Sequence, residues 1–149
     1  MVAERGMYAR DSLRASGSIK GWFIHSSGDI RISGRLETAV VETRAFEAFG
    51  GGDIGDINAT TVTVNQNAHV GLGRFFQLHV GHERRPFKAD KISATGKVYV
   101  DKCDVGLLKG DVVRVGRDSR IGRVEYVTSF EAEKGAIIDS KPVKVAKVL

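Results

Sequence analysis

Cysteine and proline are almost missing from this chain of 149 residues: there is one Cys and there are two Pro. A single thiol cannot form an intramolecular disulfide or an all-cysteine metal cage. Cys103 lies between Val100 and Val105 in a strand-like run. That position suits a small buried side chain; a nucleophile would need a histidine partner and an exposed, electropositive setting. No apolar run reaches 18 residues, so no membrane-spanning helix is expected. Met1–Arg14 is charged throughout and has no apolar signal-peptide region. The chain also lacks a Gly-x-Ser-x-Gly elbow, a phosphate-binding loop and a Gly-x-Gly-x-x-Gly fingerprint. The expectation is a cytoplasmic, soluble protein without a cofactor, and not an enzyme.

Glycine, by contrast, is abundant: 18 residues, against a usual share of about 7%. With so little proline, the composition describes repeated tight corners in β-rich sequence and not a linker. The stretch Ile57–Gly71 shows the unit. Ile57/Ala59, Val62/Val64 and Ala68/Val70 are three pairs at two-residue spacing, separated by polar breaks. Each pair places two side chains on one face of a short strand. Three short strands turning at polar corners make one coil of a solenoid.

The coil recurs. Val62, Leu78, Val98, Val113 and Phe130 align as one face, with steps of 16, 20, 15 and 17 residues averaging 17. A single-stranded parallel β-helix, all-β, with about 17 residues per coil follows from this period. Right-handed winding is the general expectation for parallel crossovers. Residues 1–15 read as a flexible leader, 16–139 as the β-helix domain and 140–149 as a C-terminal tail. Gly28 and Gly34 bracket the Ile30/Ile32 pair as corners. Leu36–Phe49 is the least strand-like section: spacings of three and four admit a short helix, and the alternative is a coil with Val40, Val41 and Phe46 turned inward. The 20-residue step places a projecting loop at Gly81–Ala89, with Pro86 ending any strand.

Candidate chemistry is sparse. His79-x-x-His82-Glu83 has the look of a metal site but lacks a third ligand at a convincing spacing. His25 and His69 stand apart, and His69 falls on the outer side of its strand. Asp53, Asp56, Asp101 and Asp104 are read as corner residues beside glycine. Arg84, Arg85 and Lys88, with Lys141, Lys144 and Lys147 near the C-terminus, are the candidate surface for nucleic acid or anionic lipid. No interleaved aromatic platform accompanies them. Val115-Gly116 and Ile121-Gly122 are six apart, as in β-helix acyltransferases, but the hexad does not propagate.

The stretches Gly17-Ser-Ile19, Gly28 to Leu36, Gly55 to Ala59, Val62-Thr-Val64 and Ala68 to Gly71 resemble the bactofilin family of polymer-forming cytoskeletal proteins. The likeness covers roughly residues 16–139. It implies a right-handed triangular β-helix that assembles end to end into filaments without nucleotide. Partners implied are the chain itself, the inner face of the membrane and other cell-shape proteins. The expected polymer interface comprises Ile19, Trp22, Phe23 and Ile24 at one end, and Phe130, Ile137 and Ile138 at the other. A basic β-solenoid binding module is the alternative function, and a β-helix acyltransferase-like enzyme the minor one.

Overall fold

Val and Ile at alternate positions favour extended backbone, and a pair of them buries only one face of a short strand. Burial is completed by stacking like pairs from successive coils. A computed structural model shows this arrangement: an all-β parallel solenoid of about seven turns, with equivalent positions roughly 17 residues apart. The structure describes residues 2–3, 6–65 and 87–148.

In chain order the strands are β1 (Val2–Ala3), β2 (Met7–Ala9), β3 (Leu13–Gly21), β4 (Phe23–Ser26), β5 (Asp29–Glu42), β6 (Ala45–Ala48) and β7 (Gly52–Ala59). There follow β8 (Thr61–Val64), β9 (Phe87–Ala94), β10 (Lys97–Val100), β11 (Cys103–Val115), β12 (Arg120–Ala132), β13 (Ile137–Ile138) and β14 (Val143–Lys144). Every pairing among them is parallel, and each joins a coil to the next.

The core is a set of vertical columns. Leu13, Ile30, Phe46, Val62, Val98, Val113 and Phe130 stack on the first face. Met7, Ile24, Val41, Ile57, Ile92, Leu108 and Val124 form another column. A third runs Ile19, Leu36, Gly52, Phe87 and Cys103. Gly52 and Phe87 are complementary: the glycine leaves room for the ring, which sits 6.3 Å from the ring of Phe46. A Cβ on Gly52 would come within 3.3 Å of the Phe87 ring and 2.9 Å of the Leu36 carbonyl. At a corner, Gly17, Gly34 and Gly50 stack so closely that a Cβ on Gly34 would lie 2.1 Å from the Gly17 carbonyl oxygen. Gly28, the other expected corner, is equally crowded by the Asp11 carbonyl.

Several expectations need correction. Residues 7–15 do not stand apart as a leader, because β2 and the first part of β3 are already in the ladder. Leu13/Ala15 precedes Ile30/Ile32 by one period. No helix forms over Leu36–Phe49: β5 continues to Glu42 and β6 follows, with Val41 and Phe46 buried. The three-residue spacing there is a corner, not a helical turn. Thr38 and Val41 both point inward because the strand bends between them, and Ile54/Ile57, Val105/Leu108 and Ile121/Val124 repeat the slip.

Leu78 is not a level of the first column, since Val62 pairs directly with Val98. Leu78 itself lies outside the described residues, as do Ala68, Val70, His69, His79 and His82. Of the loop expected at Gly81–Ala89, residues 81–86 lie outside the described residues, and Phe87-Lys88-Ala89 is not loop but opens β9. Asp53 and Asp104 are ladder residues in register with Lys88, not turn formers; Asp101 does occupy a turn, between β10 and β11.

Candidate functional site at the ends of the stack

A solenoid has two ends, and each end is a strand edge whose N–H and C=O groups on one side have no ladder partner. The N-terminal end is built from β1, β2 and the start of β3. Ile19 and Ile24, expected on this end, are instead core residues, 2% and 0% exposed. Met7 lies over Ile24, and β1 pairs beside Ile19, at Lys20 and Gly21. The apolar residues at this end are Met7, Leu13 and Ala15, which are partly buried against the core. Leu13–Ser16 pairs with β5 on one side and with no other described strand.

Trp22 is on the outer wall, 69% exposed. Its carbonyl accepts hydrogen bonds from the N–H groups of Ala39 and Val40 at 3.2 and 3.3 Å, which fixes the corner that displays the indole. Phe23 is half-buried between Tyr8, at 5.6 Å, and His25, at 6.3 Å and almost parallel. Tyr8 is 75% exposed and completes this aromatic row. Reading residues 1–15 as a leader hid Tyr8; the pairing of Met7-Tyr8-Ala9 with Ile24-His25-Ser26 reveals it.

At the C-terminal end, Phe130 stacks on Tyr126 with ring centres 5.9 Å apart. Ile138 is half-buried and in register with Ile121, whereas Ile137 is 57% exposed. β13 and β14 cover β12 at Arg120–Ile121 and Glu125–Tyr126. Ser129–Ala132 stays uncovered among the described residues, on the same face as Leu13–Ser16. A shallow depression there is lined by Tyr99, Arg114, Glu131 and Glu133.

The outer wall carries ion pairs from coil to coil: Arg31–Glu47 at 2.6 Å, Lys20–Glu37 at 3.5 Å, Arg114–Glu131 at 3.2 Å and Arg120–Asp139 at 3.3 Å, and His25 Nδ1 lies 3.6 Å from the Glu42 carboxylate. Arg44 pairs with Asp29 in the same manner. The guanidinium of Arg35, with Lys20 nearby, holds the Glu37 carboxyl below its ordinary value. Exposed pairs of this kind contribute about 0–1 kcal/mol each.

Of the basic candidates, Lys88 is exposed on β9 between Asp53 and Asp104 in register, so its charge is locally compensated. Lys141, Lys144 and Lys147 are exposed; Arg84 and Arg85 lie outside the described residues. Cys103 is buried, with its Sγ 3.7 Å from Ser119 Oγ, and burial pushes the thiol pKa up to about 12. Among the described residues no His, Cys, Asp and Glu group is arranged to hold a metal, and no helix is long and apolar enough to cross a membrane.

The fold therefore defines the class: a parallel β-solenoid, in which the Leu13–Ser16 and Ser129–Ala132 edges have no second partner strand among the described residues. Comparison with family models, curated proteins and solved structures gave no match.

Proposed function

We propose that this protein is a structural scaffold whose copies join end to end, as the resemblance to bactofilins implies, into cytoskeletal filaments that need no nucleotide. One observation carries the reading: among the described residues both terminal coils leave a strand edge open on the same face, Leu13–Ser16 and Ser129–Ala132, beside half-buried apolar side chains. Solenoids that stay monomeric need polar terminal caps. Open edges over an apolar column favour continuation by another copy, and a contact that does not close on itself produces a fibre. In this reading the protein works in the cytoplasm, with the inner membrane surface or other cell-shape proteins as clients.

Negative-stain electron microscopy of purified protein without nucleotide tests the proposal. Filaments are expected; a strictly monomeric species across salt and concentration would overturn it. Phe130→Arg is expected to abolish filaments while retaining the β circular-dichroism signal, because a charge at the joint would be buried without a partner. Filaments that survive this change would exclude Phe130 from the joint.

A further inference from the structure

The face whose inner column runs from Met7 to Val124 carries two outward rows. The first is Phe23, Val40, Asp56, Lys91, Leu107 and Arg123, each in register with the next. The second is His25, Glu42, Asn58, Ser93, Lys109 and Glu125. Tyr8 precedes that second row and Val143 follows it. Phe23, Val40 and Leu107 adjoin the buried Ile24, Val41 and Leu108, so strand alternation turns these three apolar side chains outward. Asp56 and Lys91 are ladder neighbours, but neither forms an ion pair among the described residues.

The first row is its own complement when its order is reversed. Reversal sets Phe23 against Arg123, Val40 against Leu107 and Asp56 against Lys91. These are a cation on an aromatic ring, an apolar pair and an ion pair. The second row behaves alike, with His25 against Glu125, Glu42 against Lys109 and Asn58 against Ser93. Beyond the rows, Tyr8, 75% exposed, falls opposite Val143, 39% exposed.

We propose that this wall is a lateral contact with a second copy of the chain, packed face to face with the two solenoid axes antiparallel. The twofold axis runs parallel to the strands, between the levels of Asp56 and Lys91. It keeps each row over itself and inverts the order of the coils, so one patch serves both copies. Neighbouring registers fail on charge. A slip of one coil puts Asp56 on Asp56 in one direction and Lys91 on Lys91 in the other, and like charges in contact reject a partner. On the third face the same operation sets Lys20 on Arg120 and Glu37 on Asp104. On the first face the charges that would meet, Arg31 with Glu131 and Glu47 with Arg114, are already paired within the chain.

Six coils about 4.8 Å apart, with strands of about four residues, give each copy a patch of roughly 29 by 13 Å. That is small for a stable pair; repetition along an end-joined stack would strengthen it, but the contact does not depend on that assembly. Residues 145–148 of the tail border Lys109 and Glu125, so the row from Phe23 to Arg123 carries most of the pairing.

The test uses the full-length chain with one added thiol, Val40→Cys or Leu107→Cys. The probe is a bismaleimide that bridges the ~10 Å between facing sheets but not the ~14 Å of three coils. Cys103 is buried, so the wild type serves as the blank. Each added thiol faces the other and not itself, so a mixture of the two variants should give covalent dimer at least about tenfold above either alone. Asp56→Lys in both chains should reduce that yield by about tenfold, and adding Lys91→Asp should restore it; thermal melts check folding. No excess in the mixture, or single variants that cross-link equally well, would overturn the proposed contact. A charge-exchanged double variant no better than Asp56→Lys would overturn its register. Filaments without the mixed cross-link would overturn the lateral contact alone, and the mixed cross-link without filaments would overturn the end-to-end reading alone.

Discussion

Phe87→Ala tests the register on which the whole stack depends. Phe87 is the first residue of β9, and it is fully buried. Its column neighbours are small: Gly52 in the coil before and Cys103 in the coil after. Replacement by alanine would leave Gly, Ala and Cys on three successive levels. No neighbouring side chain in that column is large enough to fill the space. Buried Phe→Ala changes cost about 3–5 kcal/mol, and sites that cannot collapse lie towards the upper end. We expect about 4–5 kcal/mol.

With a urea m-value of about 2 kcal/mol/M for a chain of this size, the unfolding midpoint should fall by about 2 M. Lys88→Ala is the control, since that side chain points outward; its midpoint should move by less than about 0.3 M. Phe87→Leu, which keeps part of the volume, should fall between them. A shift below about 0.5 M for Phe87→Ala, or a comparable loss for Lys88→Ala, would refute the Gly52–Phe87 register. A one-residue slip exchanges the inner and outer faces of a strand, so the pair of variants separates the two alignments.

Two further measurements address buried groups. Cys103 in the folded protein should resist alkylation at pH 8, where a thiol with pKa about 12 is almost entirely protonated, and should react within minutes in denaturant; rapid reaction without unfolding would place it at the surface. Burial raises the pKa of Asp101 above its ordinary value, so the unfolded chain releases this proton first as pH rises. The stability tied to the protonated form is complete below the unfolded pKa of about 3.9 and is lost as pH rises through the folded value. Asp101→Asn should therefore gain stability relative to wild type between pH 4 and pH 7, measured by urea unfolding; a difference independent of pH would contradict this.

The period and the first-face column were legible because burial imposes them on each coil separately. Val62, Val98, Val113 and Phe130 were aligned correctly without knowledge of the fold. The step through Leu78 misled for a physical reason: Val62 and Val98 are direct ladder partners although 36 residues, close to two periods, separate them in the sequence. The spacing of Glu37, Val41, Ala45 and Ala48 misled in a similar way, because a strand that turns a corner, as between the inward-facing Thr38 and Val41, spaces its residues like a helix. The ends were harder still. Whether Ile24 caps the stack or lies inside it depends on Met7 folding over it, which no local pattern states. Trp22 was expected at an end of the stack and stands exposed on the outer wall instead, and Tyr8 was hidden in a stretch read as a leader.

The apolar columns explain why the chain winds, but not why a joint would have one register. Leu, Ile, Phe and Val alternate freely along the first face, and a second copy slipped by one coil would still bury aliphatic side chains. The outer row discriminates. Along it run Arg14, Arg31, Glu47, Thr63, Tyr99, Arg114 and Glu131, and only some placements bring opposite charges together. Each exposed pair is worth little to stability. Like charges in contact, however, cost enough to reject a partner, and specificity is a difference between such terms. In the proposed assembly, Arg14 and Glu131 at the two edges would act on which surfaces meet more than on how tightly they hold. In the proposed end-to-end assembly, adhesion would come from Leu13, Phe130 and the backbone ladder they extend.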